Sequence, residues 1–182
     1  MKRHPGPRLS RPVRDIIDVL TSFRLKRERI EVAGGNKSRG SAFIGGFLAT
    51  RGWRAQWFRT AIAVDDLRKE SPTRKADCFK HGIGPEIEWS NKGPFYDRDL
   101  ENFRLLIDLG ALSAGVIAIR ADELGQSFRL LWRGWSHDEP ATSMPKLLPR
   151  IAGGGGAGCP LSVFGITKAL CLDTGGPVEQ RV

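Results

Sequence analysis

Apolar residues recur at helical spacing in two long segments of the chain. In VRDIIDVLTSFRL (13–25) they stand at 13, 16, 17, 20 and 23, which aligns them along one stripe of a helix. In PFYDRDLENFRLLIDLG (94–110) Leu100, Phe103, Leu106 and Ile107 repeat that spacing, Asp97 or Asp99 serves the helix start, and Gly110 closes it. A further helix is predicted over SRGSAFIGGFLATRG (38–52), with Asn36 or Ser38 as its cap and Gly52 as its end; Gly45 and Gly46 weaken it. ADELGQSFRLLWR (121–133) also reads as a helix.

Other segments carry strand patterns. RGWRAQWFRTAIAV (51–64) passes into a strand with Phe58, Ile62 and Val64 on one parity, and DDLRKESPTR (65–74) reads as a charged loop. KADCFK (75–80) and IGPEIEWSN (83–91) are predicted strands joined by a hairpin turn at His81–Gly82. ALSAGVIAIR (111–120) is apolar enough for a central strand buried on both faces. RGWSHDEPATSMP (133–145) reads as a loop, KLLPRIAGGGGAG (146–158) ends in a glycine-rich turn, and CPLSVFGITKAL (159–170) supplies a last strand. This order predicts an α/β (α+β) fold, a mixed central sheet flanked by helices. A single domain over 13–172 is expected, preceded by a disordered basic arm (1–12) and followed by a flexible tail (173–182).

Composition narrows the function. With 182 residues and 40% hydrophobic content, the chain can build a sizeable core. No apolar run approaches a membrane span of roughly 18–20 residues, and the basic N-terminus lacks the apolar region of a secretory signal; a cytoplasmic protein without a membrane partner is expected. The three cysteines are odd in number and lack C-x-x-C spacing, which argues against a disulfide framework and a zinc site. A net charge of +9 and a pI of about 10 favour a polyanionic partner such as nucleic acid.

Within this basic chain, DCFKHGIGPEIEWSNK (77–92) gathers acids. Residues i and i+2 of a strand share a face, so Glu86 and Glu88 point the same way and Ile87 points to the opposite, apolar side. Across the turn, Asp77 can come beside Glu86 in an antiparallel hairpin. Carboxylates so close repel unless a proton or a cation intervenes. A hard divalent ion, Mg²⁺ above all, prefers such oxygen donors. Set in a basic surface, the arrangement points to phosphodiester chemistry. The same acids can also be the solvent face of an edge strand, a position to which Pro85 is suited.

The spacing Asp77…Glu86-Ile87-Glu88 resembles the D-x(n)-(D/E)-x-K nuclease motif with Glu in place of the final Lys. EIEWSNKGPFYDRDLENFRLL followed by LSAGVIAIR looks like the BglII/BstYI group of type II restriction endonucleases. So do the upstream IEVAGGNKS and the downstream MPKLLPRIAGGGGAGCPLSVFGI. The resemblance spans roughly residues 14–172. It implies the restriction-endonuclease core, with Asp77, Glu86 and the Ile87 backbone carbonyl holding Mg²⁺. Glu88 would hold a second metal or orient and deprotonate the attacking water, and the products would be a 5′-phosphate and a 3′-hydroxyl. It further implies a homodimer acting on double-stranded DNA at a short palindrome, and a DNA methyltransferase encoded nearby to protect the host. Two departures stand out: Pro85 replaces an ordinary strand residue, and Gly93 stands where relatives tend to carry Asp. A polar residue that assists the site in some relatives has Gln56 as a loose match.

Lower-weight readings complete the picture. Asn36, Lys37 and Ser38, at a predicted helix start, can cap it or hold a DNA phosphate; Lys92 can contact a phosphate or offset the acids. Asp97 and Asp99 complement the helix dipole. GGGGAG (153–158) lacks the Lys-Ser/Thr of a phosphate loop, and His4, His81 and His137 share no ligand spacing. Two rival functions stand beside the restriction enzyme: a DNA-repair or recombination nuclease on the same fold, and a catalytically inactive DNA-binding remnant marked by Pro85 and Gly93.

Overall fold

The computed structural model describes residues 7–26, 39–70, 74–88, 94–124 and 143–172. At its centre lies strand β7 (Ala114–Arg120), paired in parallel with β6 (Ile83–Glu88) on one side and β8 (Leu161–Ile166) on the other. AGVIAIR is uncharged until its last residue, and Gly115 to Arg120 are all buried. Such a run suits a parallel strand covered on both faces.

Strand alternation divides the core in two. Ile83 and Val116 turn to one side, where α1 (Pro7–Ser22) and α2 (Arg39–Thr50) cover them with Ile16, Val19, Ile44 and Leu48. Ile117 and Ile119 turn to the other, where α3 (Pro94–Asp108) brings Tyr96, Leu100, Phe103 and Leu106 and α4 (Met144–Ala152) brings Leu147. Close approach of α3 to the sheet depends on Gly115: a Cβ there would meet Leu161 at 2.7 Å and the Phe103 ring at 3.1 Å. The turn from α4 to β8 is fitted as tightly, since a Cβ on Gly155 would meet the Arg150 carbonyl oxygen at 2.7 Å. Its amides at Gly153, Gly154, Gly155, Ala157 and Cys159 all donate to nearby carbonyls. The glycine run is therefore a packed turn, with these five amides spent on its own chain.

Beside the parallel sheet lie separate pairs: β2 (Arg54–Phe58) antiparallel to β5 (Arg74–Phe79), β3 (Ala61–Val64) antiparallel to β4 (Leu67–Glu70), and the short β1 (Leu25–Lys26) parallel to β9 (Cys171–Leu172). Parallel and antiparallel pairings thus both occur, in distinct sheets. His81 and Gly82 adopt φ 48° and 78°, the double left-handed signature of a tight hairpin turn. Only Lys80 and Ile83 pair across it. Beyond that bridge β5 stays with β2 and β6 goes to β7.

Several elements differ from the sequence expectation. The first helix begins at Pro7, so Pro7–Pro12 is helical where a disordered arm was expected; the buried Pro12 lies inside it. The predicted strand over 51–64 is two strands, and the expected charged loop contains β4, which folds back on β3 through a turn with Asp65 at φ 51°. Helix α4 starts inside the segment expected to be a loop and continues through 146–152, to which no element was assigned. Residues 125–133 of the predicted fourth helix, the loop to 142 and the tail 173–182 lie outside the described residues.

A buried charge cluster fixes the turn from which β6 departs. Asp15 of α1 accepts from Lys80 Nζ at 2.7 Å, from Trp53 Nε1 at 3.0 Å and from Arg51 Nη1 at 3.3 Å. Lys80 Nζ also donates to the Arg51 carbonyl at 2.6 Å. Burial alone pushes the Asp15 carboxyl up, but the Lys80 and Trp53 hydrogen bonds, the Lys80 charge and Arg51 together hold it below its ordinary range. A carboxylate with a depressed native pKa stabilises the fold above its unfolded pKa and loses that contribution as pH falls through the native value. Asp15→Ala removes the acceptor of a buried indole N–H and the partner of a mostly buried ammonium. The expected cost is about 3 kcal/mol, with a shallower loss of stability below about pH 4 than in the wild type. Urea denaturation at neutral and acid pH checks both.

Candidate metal centre

Strand β6 carries its acids on the α3 side of the sheet. Glu86 stands in register with Ile117 and Glu88 with Ile119, two residues of the core beneath α3. Ile87, opposite Ala118, packs instead against the core shared by α1 and α2. The i, i+2 reading of this strand therefore describes its two faces correctly. The acids occupy the carboxyl end of a parallel strand, where open α/β sheets place their ligand sites.

Glu86, Glu88 and Asp99 each offer a carboxylate oxygen, and these oxygens all lie within 4.8 Å of one another. Asp99 comes from α3. The buried stripe of that helix runs through Tyr96, Leu100 and Phe103, and Asp99, three residues after Tyr96 and four before Phe103, lies within it. It is 4% exposed. Its Oδ1 accepts from Arg98 Nε at 3.2 Å and Nη2 at 3.1 Å, whereas its buried Oδ2 has no hydrogen-bond partner among the described residues. Asp97, on the outer face, forms an ion pair with Arg150 of α4 at 3.1 Å. The two aspartates that read alike as helix-start charges thus have different surroundings.

Asp77 lies at the rim. Its side chain is 53% exposed and pairs with Lys75 at 2.8 Å. Alternation along β5 puts it on the same side as Phe79, which packs toward the α3 core. Its charge reaches Glu86, but it is not one of the three acids within 4.8 Å. Gln56 pairs with Ala76, so it takes the face opposite Asp77, and its Nε2 donates to the Trp57 carbonyl at 3.0 Å. Pro85 is buried opposite Val116, and the β6–β7 register runs without a shift from Ile83 to Glu88. Asn36, Lys37, Ser38, Lys92 and Gly93 lie outside the described residues.

The electrostatics follow from crowding. Burial, then the charges of Asp99, Glu88 and Asp77, push the Glu86 carboxyl up to about 8, with Arg98 opposing. Behind the acids, burial pushes the Tyr96 hydroxyl up to about 12, with Glu88 adding to the rise, while the hydroxyl donates to the Ser143 carbonyl at 3.1 Å. Burial lowers the Arg120 guanidinium to about 10. Two carboxylates 4.8 Å apart repel by about 3.5 kcal/mol at an effective dielectric near 20. The residues fit a hard divalent cation: the donors are all oxygen, one cation can span them, and one buried oxygen has no hydrogen-bond donor among the described residues. Sequence reasoning missed Asp99, although an acid at a core position of the α3 stripe is a readable signal.

The family described as restriction endonuclease BglII/BglIII matches residues 8–166 of the chain. A search of curated proteins finds no match.

The raised Glu86 pKa has a testable sign. Between its ordinary value of 4.5 and about 8, the folded, metal-free chain binds more protons at this group than the unfolded chain. Stability from this source therefore falls as pH rises through that window and levels off above it. Thermal melts in chelator should show this decline; Glu86→Gln should flatten it, and a divalent cation at the alkaline end should reverse it.

Proposed function

Because the chain belongs to the BglII/BglIII restriction endonuclease family, we propose that it is a Mg²⁺-dependent type II enzyme that hydrolyses phosphodiester bonds of double-stranded DNA at a short palindromic site. The observation that carries this reading is the acidic group at the end of β6, inside the family match. Glu86, Asp77 and the Ile87 carbonyl would hold the ion, with Glu88 beside them. Mg²⁺, when bound, would polarise a phosphoryl oxygen and lower the pKa of a water. Glu88 is buried next to Glu86; one of its oxygens would share in holding metal, and the other would orient the attacking water and take its proton. Attack at phosphorus breaks the bond to the 3′ oxygen, which takes up a proton to leave a 3′-hydroxyl and a 5′-phosphate.

The rest of the chain supports a DNA partner. The net charge is +9, and Arg54, Arg59 and Lys75 are exposed on or beside the β2–β5 ribbon that carries Asp77 at the rim of the site. Phosphates approaching the acids thus meet a cationic border, and binding should weaken steeply with salt. A two-fold site calls for a homodimer with one centre per strand, and host DNA then needs a protecting methyltransferase. The place of action on DNA would be the cytoplasm; among the described residues no helix is long and apolar enough to cross a membrane.

Incubation with plasmid and Mg²⁺ tests the reading. Discrete fragments are expected, and Glu86→Ala should lower cleavage by about 10²–10⁴-fold while a gel-shift assay still shows DNA binding. Nicking governed by DNA structure would mark a repair nuclease instead. Retention of DNA without cutting in any divalent cation would mark a silent binder. Cleavage by Glu86→Ala at the wild-type rate would displace the site.

A further inference from the structure

Asp99 differs from the other acids in how it is delivered. Glu86 and Glu88 ride on β6, whose register with β7 fixes them. Asp99 comes from α3, locked by the packing of Tyr96, Leu100 and Phe103. With 4% exposure it is largely shielded from bulk water. Arg98 occupies Oδ1, and Oδ2 is left buried without a donor among the described residues. An orphaned buried carboxylate oxygen is unfavourable, and two neighbouring carboxylates make it more so.

We propose that Asp99 is a metal ligand: its Oδ2, with one oxygen each from Glu86 and Glu88, forms an all-carboxylate seat for a divalent cation, set deeper than Asp77. This rests on the metal-dependent reading above and adds to it a ligand from a helix outside the strand motif. The span suits the role. Opposite ligands of one ion lie about 4.2 Å apart around Mg²⁺ and about 4.6–5.2 Å apart around Ca²⁺, and a carboxylate oxygen from each of Asp99, Glu86 and Glu88 lies within 4.8 Å of the other two. Arg98 fixes the carboxylate plane through Oδ1 and leaves Oδ2 to the ion. Asp77, 53% exposed and paired with Lys75, occupies the outer edge of the same centre.

Calorimetric titration of the metal-free, DNA-free protein with Mn²⁺ tests this. Asp99→Asn and Glu86→Gln should each weaken Mn²⁺ binding at least about tenfold, while Glu101→Gln, an exposed acid on the same helix, should leave it unchanged. Wild-type affinity in Asp99→Asn overturns the role of Asp99 and leaves the nuclease reading standing if Glu86→Gln still fails to bind. Wild-type affinity in both variants overturns both. A second measurement needs no variant: Fe²⁺ bound in place of Mn²⁺, with ascorbate and peroxide, cuts the backbone beside the ion. Cuts are expected in both β6 and the start of α3. Should Asp99→Asn not fold, an absence of cuts in α3 overturns the proposal.

Discussion

Mutual repulsion of buried carboxylates is the constraint around which this chain is built. Three acids within 4.8 Å make three like-charged pairs, each worth at least about 3.5 kcal/mol when both members are ionised, before counter-charges act. Against this stand the side chains that pin α3 over the sheet. Tyr96, Leu100, Phe103 and Leu106 are all nearly fully buried, at roughly 2 kcal/mol apiece. The two totals are of similar size, so packing alone does not hold three negative charges together. One proton on Glu86 removes two of the three repulsions, which is the physical content of its upward shift to about 8. A cation does the same and leaves all three oxygens in use.

The strand that carries two of these acids is positioned from far away in the sequence. Lys80 lies next to the turn that launches β6, and its ammonium is held by Asp15, 65 residues earlier in the chain. The same carboxylate takes the Trp53 indole and Arg51, which follow α2. One buried acid therefore ties α1, the end of α2 and the β5–β6 turn into a single knot. The two acidic elements play opposite roles: Asp15 is surrounded by donors and sits low in pKa, while Glu86 is surrounded by acids and sits high. A common residue type thus gives scaffold at one place and a candidate centre at the other, according to which charges the fold brings to it.

Much of this was legible in the chain. The stripe in 94–110, the apolar run before Arg120, the turn at His81–Gly82 and the opposed faces of Glu86 and Ile87 follow from local periods and turn chemistry, and the structure has them. What escaped was decided by contacts between distant segments. Strand β4 is charged and fully exposed, so nothing in its own pattern separates it from a loop; its pairing with β3 does. Helix α4 holds Pro145 and Pro149, which argue for a loop locally, but Leu147 is completely buried against the sheet and holds the helix there. The predicted hairpin ladder failed beyond Lys80 and Ile83 because β7 offers β6 a longer apolar partner. Asp99 was misread for a related reason. Its place near a helix start explains an acid by dipole alone, and only the facing strand shows that the same residue meets two more.

Pro85 bears on whether such a centre is intact. Proline removes a ladder donor and is confined to edges and bulges of sheets, so its place directly before Glu86 reads, in sequence, as a mark of decay. The structure removes the physical basis of that reading. Strand β6 is an edge of the three-stranded parallel sheet, and its register with β7 passes through Pro85–Val116 to Glu88–Ile119 without a shift. A one-residue slip would have turned Glu86 and Glu88 into the apolar core and Ile87 toward the acids; none occurs. The proline is buried on the face away from the carboxylates, where its ring serves as packing. The spacing of the centre is therefore set by the β7 ladder and by the seat of α3, and the ladder is continuous across Pro85.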